Sequence, residues 1–223
     1  MGTVLALGSG VFWTTAYVLI IRAGLRDRSY GMPLVALGAN LSWEFLFSFV
    51  RPSGGVQTGI NIAWLALDCG ILWTVLRFGP REFPWLPRRA FFVALAATGA
   101  LCYLAVDEVS RQFDAGGGTF AAFGQNLMMS GLFLGMLLAR RSTRGQSLGV
   151  AVCKLLGTAL ASASVWIGLA GDTLHRGPLL PYLFLSILLL DLAYVGALAA
   201  VGHTESEQSK AKAGVLQVNA WKN

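Results

Sequence analysis

The sequence predicts an all-α membrane protein whose seven transmembrane helices form one antiparallel bundle. Hydrophobic residues make up 55% of the 223 residues, charged residues only 13%, and the mean hydropathy is +0.62. Soluble domains carry about 25% charged residues. The apolar residues also fall into runs of membrane-spanning length, and the basic residues gather in alternate connections between those runs. These three observations favour one membrane domain over residues 1–202, followed by a polar tail over 203–223.

Each apolar run approaches the ~20 residues that a helix needs to cross ~30 Å of hydrocarbon. The seven runs cover residues 3–21, 31–50, 60–78, 88–106, 117–139, 147–170 and 178–201. They are continuously apolar, whereas the strands of a membrane barrel alternate between apolar and polar residues, so helices are predicted. The glycines at 116–118 mark the entry to the fifth helix, and Pro178 and Pro181 mark the start of the seventh.

The basic residues predict the orientation of the bundle. Thirteen of them lie in the first, third and fifth loops and the tail, against three in the second, fourth and sixth loops. The first group is Arg22, Arg26, Arg28, Arg77, Arg81, Arg88, Arg89, Arg140, Arg141, Arg144, Lys210, Lys212 and Lys222, and the second is Arg51, Arg111 and Arg176. Because cytoplasmic loops carry an excess of Lys and Arg, the N-terminus is expected outside and the C-terminus in the cytoplasm.

The same sequence argues against several classes of function. The basic residues are scattered among loops, so no nucleic-acid partner is expected. Cys69, Cys102 and Cys153 lie in different apolar runs, and neither they nor His175 and His203 have metal-ligand spacing. We therefore expect no metal and no cofactor, and membrane lipid as a surrounding partner; the sequence leaves the oligomeric state open.

Four ionisable side chains interrupt the apolar runs: Glu44, Asp68, Lys154 and Asp191. A charged side chain at mid-membrane costs about 2.5–3.5 kcal/mol on insertion scales, so such residues usually face a protected cavity and have a function there. Counted from the ends of the runs, Glu44 and Asp68 lie in the outer half, and Asp191 lies nearer the middle. Lys154 is expected too far toward the cytoplasmic end to join them.

Helical spacing groups further residues with these acids. Asn40 shares a face with Glu44, Trp64 shares one with Asp68, and Tyr194 follows Asp191 by three positions. The other members of the predicted chamber are Trp43, Phe47, Gln125 and Met129. Each has a simpler explanation, because buried acids can be hydrogen-bonded structural groups and membrane aromatics can be ordinary packing or interface residues.

Acids among aromatic and sulfur side chains suit carbocation chemistry. Apolar surroundings disfavour the ionised form of a carboxylic acid, so it can stay protonated at neutral pH and donate its proton. Protonation of an alkene or epoxide makes a carbocation, which needs a dry site and gains from aromatic faces. A prenyl chain, which partitions into membranes, would be the matching substrate.

An ordered set of short runs carries a family resemblance. They are NLSWE at 40–44, WLALD at 64–68, GQN at 124–126 with MS at 129–130, RGQS at 144–147 with Lys154 and GT at 157–158, and LD at 190–191 with Tyr194. This set resembles the small integral-membrane terpene cyclases of fungal meroterpenoid and indole-diterpene pathways. It looks closer still to bacterial relatives that cyclise farnesylated indoles, as in drimentine-type biosynthesis. That closer likeness implies a multi-pass protein of the bacterial cytoplasmic membrane.

The resemblance implies a metal-independent, acid-initiated cyclase whose essential pair is Glu44 and Asp191, with Asp68 and Gln125 in support. Which of the two acids donates the proton stays open. The implied substrate is a farnesylated indole or cyclodipeptide, protonated at its distal alkene or at a terminal epoxide and folded to a drimane-like bicycle.

Three rival hypotheses remain at this stage. A proton- or cation-coupled transporter or channel would also keep acids in the membrane, although neither an internal repeat nor mid-span helix breaks are evident. Seven spans with an intramembrane lysine suggest a retinal photoreceptor, but Lys154 lies in the sixth span rather than the seventh. A purely structural protein is the third.

Overall fold

A computed structural model describes residues 1–168 and 177–220, with side chains over 1–168 and 177–213. Within these residues the chain is helical and contains no strand. The helices are α1 (Gly2–Asp27), α2 (Leu34–Phe45), α3 (Gly55–Phe78), α4 (Arg88–Phe113), α5 (Thr119–Arg140), α6 (Leu148–Gly168) and α7 (Leu179–Ala220). A π-helical segment (Leu46–Val50) continues α2, and a short 3₁₀ turn (Gly79–Arg81) follows α3. His175, Arg176 and Lys222 lie outside the described residues.

Proline and glycine set the helix boundaries. Pro33 and Pro87 precede α2 and α4 and occupy their N-cap positions, where the missing N–H of proline leaves no helical bond unmade. Gly54 and Gly118 occupy the N-cap positions of α3 and α5. The predicted starts of the fifth and seventh helices, beside the glycines at 116–118 and at Pro178, agree with the structure.

Length and composition support a polytopic membrane protein. Six helices of the described chain are long and apolar enough to cross a bilayer, and α2 with its π-helical segment forms a shorter apolar helix. The count of seven helices therefore fits the prediction. Helix α7 runs on to Ala220, beyond the predicted boundary at 202, and the division into a membrane domain and a tail stays a prediction.

Two clusters of contacts define the ends of the bundle. At one end, which we call the arginine end, Arg144 binds Glu82 at 2.5 Å and Asp27 accepts the Gly145 N–H at 2.8 Å. At the opposite end, the Ser164 hydroxyl donates to the Gly2 carbonyl at 2.9 Å. The first, third and fifth loops thus meet at the arginine end. The side of the membrane that each end faces and the antiparallel arrangement stay predictions.

The order of packing places a cavity in the middle of the bundle. Helix α1 packs on α3 and α6, α2 packs on α3, α4 and α5, and α7 packs on α5 and α6. Small residues allow the close approach of α1 and α6, where the Ser9 hydroxyl donates to the Gly157 carbonyl at 2.8 Å. Helices α1, α2, α3, α5 and α6 therefore surround a common central space.

Candidate active site

The central cavity, which we call the chamber, has a volume of about 140 Å³. Its lining is Ser9, Trp13, Tyr17, Asn40, Trp43, Glu44, Trp64, Ala122, Phe123, Gln125, Asn126, Met129 and Ala161. Glu44 is the only charged side chain in this lining. The carboxyl group therefore faces a space that is otherwise aromatic, aliphatic and neutral.

Local structure brings Glu44 to this position. It lies at the end of α2, directly before the π-helical segment, and π-helical turns often occur at functional sites because they re-aim neighbouring side chains. The Tyr17 hydroxyl donates a hydrogen bond to Glu44 Oε1 at 3.1 Å and accepts one from Asn40 Nδ2 at 2.6 Å. Tyr17 thereby fixes one carboxyl oxygen and leaves Oε2 for another partner.

Asp68 is completely buried and lies next to Glu44. The two carboxyl groups lie within hydrogen-bonding reach of each other. If both were ionised, Glu44 Oε2 and both Asp68 oxygens would have no donor among the described residues, and unpaired buried charges are strongly unfavourable. One proton held between the two groups supplies a donor and removes one charge. The arrangement therefore suits a carboxyl pair that shares one proton.

Five aromatic side chains line the chamber together with Glu44: Trp13, Tyr17, Trp43, Trp64 and Phe123. Trp13 and Tyr17 are in ring contact, with centroids 5.8 Å apart, and Trp64 meets Tyr17 edge-on at 6.3 Å. Indole hydrogen bonds hold two of the rings. Trp43 Nε1 donates to the Gly118 carbonyl at 3.1 Å, and Trp64 Nε1 donates to Thr14 Oγ1 at 3.0 Å.

Sequence reasoning missed the contribution of α1. Ser9, Trp13 and Tyr17 all line the chamber, yet the first run carries no intramembrane acid that would draw attention to it. The four-residue spacing of Trp13, Tyr17 and the preceding Ser9 was the available signal, because it places all three on one helix face.

The chamber continues into a second cavity, which we call the mouth, of about 360 Å³. Six residues line both: Ser9, Trp43, Trp64, Ala122, Phe123 and Ala161. The mouth extends toward the end opposite the arginine end, where Ser53, Gln57, Thr119 and Ser164 add neutral polar groups. Typical ligand pockets measure ~300–1,000 Å³, so chamber and mouth together offer room for an organic substrate.

Asp191 lies in a different cluster. Its Oδ1 accepts a hydrogen bond from the Lys154 ammonium at 2.6 Å, and Lys154 also donates to Ser130 Oγ at 2.6 Å. The prediction that Lys154 lies too far toward the cytoplasmic end to join the acids is wrong for Asp191, which it binds, although Lys154 does not line the chamber with Glu44. Measured along α6 from Gly168, the helical rise places Lys154 at roughly 21 Å; measured along α7 from Leu179, it places Asp191 at roughly 18 Å. The two residues therefore lie at nearly the same depth.

The structure places the predicted site residues in several different locations. Asn40, Trp43, Glu44, Trp64, Gln125 and Met129 line the chamber, Phe47 lines the mouth, and Asp68 lies next to Glu44. Asp191 instead lines a groove of about 390 Å³ between α6 and α7, and this groove and the chamber share none of the described lining residues. Tyr194 is buried against Phe133, and its hydroxyl donates to Gln146 at 2.8 Å.

Known proteins resemble this chain over most of its length. A family model described as Pyr4-like transmembrane terpene cyclases matches residues 1–204. The chain is 34% identical to terpene cyclase dpmaB of Metarhizium anisopliae, over 91% of this chain and 87% of that protein. It is 29% identical to terpene cyclase pyr4 of Aspergillus fumigatus, over 93% and 89%. It is 32% identical to the Pyr4-family terpene cyclase mfmH of Annulohypoxylon moriforme, over 70% and 66%. No solved structure matches this chain.

These matches confirm the resemblance to membrane terpene cyclases and do not favour a transporter. The relatives named here are fungal, so they do not support a bacterial drimentine-type link or a bacterial cytoplasmic membrane. Nor do they identify a substrate, a product or an essential residue of this chain.

Proposed function

We propose that this chain, which belongs to the Pyr4-like transmembrane terpene cyclases, starts carbocation cyclisation by protonating a prenyl chain from the Glu44–Asp68 carboxyl pair. The observation that carries the proposal is the position of the pair. Among the described residues, Glu44 is the only charged side chain that lines the aromatic chamber, and the buried carboxyl group of Asp68 lies next to it.

The proton comes from the Glu44 carboxyl group and goes to one carbon of the distal alkene, so that a C–H bond forms and the π electrons are used. The other alkene carbon becomes a tertiary cation. Neighbouring double bonds attack it in turn, each ring closure making one C–C bond and moving the positive charge along the chain. Loss of a proton from the last cation to the carboxylate pair restores the pair, so the net reaction is an isomerisation. A terminal epoxide would accept the same proton on its oxygen.

Two features of the chamber suit the cation that follows. Aromatic faces attract a cation by ~0.5–2 kcal/mol each, and Trp13, Trp43 and Trp64 present theirs to the chamber. Tyr17 keeps a hydrogen bond to Glu44 Oε1 throughout, so the carboxylate left by proton transfer retains a donor. The enclosed lining also limits water, which would quench the cation.

The proposed substrate class follows from the lining of the two cavities. Of the residues that the structure describes, Glu44 is the only charged one that lines the chamber or the mouth, which suits a neutral head group in the mouth and a prenyl chain in the chamber. Burial is worth ~0.8 kcal/mol for each CH₂ group, so a farnesyl chain has a large driving force to occupy apolar space. We therefore keep a farnesylated indole or cyclodipeptide as the proposed substrate and a drimane-like bicycle as the proposed product.

Proton donation is assigned to Glu44 rather than Asp191. Asp191 is bound to the Lys154 ammonium at 2.6 Å, so its Oδ1 is already engaged by another helix. Asp191 also lies outside the chamber. Of the two acids that the resemblance implies, only Glu44 is placed to deliver a proton to a chain in that space.

The test is Glu44→Gln, assayed with 3-farnesylindole in detergent. The variant keeps an oxygen for the Tyr17 hydroxyl and gains an NH₂ group that can donate to Asp68, so the fold is retained while the acidic proton is lost. We expect turnover to fall at least ~1,000-fold, equivalent to about 4 kcal/mol in the barrier.

The matched control is Glu108→Gln, because Glu108 is an exposed glutamate of α4 outside the chamber. It is expected to cyclise at the native rate. Native turnover by purified Glu44→Gln would refute the assignment of the proton donor.

A further inference from the structure

The Lys154–Asp191 pair requires an explanation because it is deeply buried and lies outside the chamber. The two side chains are only 2% and 1% exposed. Asp191 Oδ2 has no hydrogen-bond partner among the described residues, and its groove is separate from the chamber. A carboxylate placed in this way does not touch a prenyl chain that is bound beside Glu44.

We propose that Lys154 is a positioning residue that transmits the effect of Asp191 to the chamber wall by holding the ring of Trp13. This inference rests on the proposed function, since it takes the chamber as the site of cyclisation. It assigns Asp191 an indirect role: Asp191 neutralises and orients Lys154, and Lys154 orients Trp13.

The contacts of Lys154 support this chain of influence. Its ammonium binds Asp191 of α7 and Ser130 of α5, both at 2.6 Å, and lies 5.8 Å from the centroid of the Trp13 ring. The Lys154 side chain thus links α5, α6 and α7 next to the Trp13 ring, which lines the chamber. A cation at this distance from an indole face is attracted to it.

Trp13 is held from a second side by Gly157. A Cβ atom at position 157 would lie 2.8 Å from Trp13 Cδ1, so the ring lies directly against the backbone of α6. Lys154 and Gly157 are three positions apart on the same helix and therefore share a face. A shift of α6 relative to α7 would move both contacts of the ring at once.

From Trp13 the path leads directly to the acid. The Trp13 ring packs against Tyr17 at 5.8 Å, and the Tyr17 hydroxyl donates to Glu44 Oε1 at 3.1 Å. Displacement of Trp13 therefore alters both the chamber wall and the support of the tyrosine that orients the proton donor. An aspartate outside the chamber can influence cyclisation in this way without contacting the substrate.

The decisive experiment compares Lys154→Met, Asp191→Leu and the double variant, with 3-farnesylindole as the probe. Each single change leaves one buried charge without its partner, which strongly perturbs the surroundings, whereas removing both leaves none. Methionine at 154 also keeps the length needed to pack on Trp13.

We expect each single variant to lose at least ~100-fold in turnover per folded protein, and the double variant to recover at least ~10-fold over either single variant. The recovered enzyme should also regain the native ratio of bicyclic to partly cyclised or hydroxylated products. A double variant that only folds in higher yield, without Trp13 back in its native position, would not regain that product ratio. If the folded double variant is as inactive as Asp191→Leu, Asp191 acts on the substrate itself and the inference is overturned.

A second variant keeps the inference testable if the single charge changes do not fold. Trp13→Leu leaves the ion pair intact and is expected to shift the products toward partly cyclised and hydroxylated species. Its control is Trp73→Leu, because Trp73 is half exposed on α3 and lines neither chamber nor mouth. A native product ratio from Trp13→Leu would overturn the inference. Native activity of Glu44→Gln would instead refute the proposed function, so the two failures are distinct.

Discussion

Alanine at position 157 is expected to displace Trp13 by a predictable amount. The new Cβ atom would lie 2.8 Å from Trp13 Cδ1, 3.1 Å from Nε1 and 3.3 Å from Cγ. Because carbon atoms pack at about 3.5–4.0 Å, the ring must retreat by about 0.5–1 Å. Overpacking of this kind costs about 1–3 kcal/mol, and replacing a helical glycine by alanine returns about 0.8–1.0 kcal/mol. The net loss in stability is therefore about 1 kcal/mol.

Two assays check this expectation in detergent. A thermal melt should show Tm lowered by about 2–4 °C, the shift that 1 kcal/mol produces in a chain of this size. The product analysis should show more partly cyclised or hydroxylated material, because Trp13 lines the chamber. Gly124→Ala is the matched control, since nothing lies within 4 Å of the added atom, and it should leave products unchanged and Tm equal or higher. If Gly157→Ala behaves like Gly124→Ala in both assays, Trp13 does not shape the reaction.

Three further expectations concern the acid pair, the aromatic lining and metal dependence. Asp68→Asn should slow turnover about 10–100-fold with an unchanged product ratio, because the new amide group donates to the Glu44 carboxylate and makes Glu44 a weaker proton donor. A native single-turnover rate would contradict the proposal that the two acids share one proton. Trp43→Ala and Trp64→Ala should each increase partly cyclised or water-quenched products, as measured by mass spectrometry, and identical product profiles would count against the aromatic wall. Activity should survive EDTA, whereas a strict magnesium requirement would point to diphosphate chemistry.

Hydropathy was enough to predict the helices of this protein. The runs at 88–106 and 117–139 became α4 (Arg88–Phe113) and α5 (Thr119–Arg140), because in a bilayer the backbone must satisfy its hydrogen bonds within each segment. The observed helices extend past the apolar runs, since polar residues at the ends can remain helical while reaching water. The shared helix face of Asn40 and Glu44 was also predictable, because the four-residue spacing places them on one side of α2 regardless of how the bundle packs.

The pairing of acids across helices was not predictable in the same way. Counting from the ends of apolar runs put Lys154 and Asp191 at different depths, yet they bind each other at 2.6 Å. Asp68 was predicted as support, but its position next to Glu44 depends on how α3 is rotated against α2. A sequence gives the order of residues along each helix and contains little information on that rotation.

The sequence by itself determined that this chain is a helical membrane protein, which of its segments are helices, and which cyclase family it resembles. Only the tertiary structure decided that Glu44 faces the chamber and has Asp68 next to it, that α1 supplies Trp13 and Tyr17, and that Asp191 is bound to Lys154. The physical reason is that hydrophobicity and helical periodicity act within a segment. The partner of a buried polar group is chosen between segments, by the depth and rotation at which the helices pack.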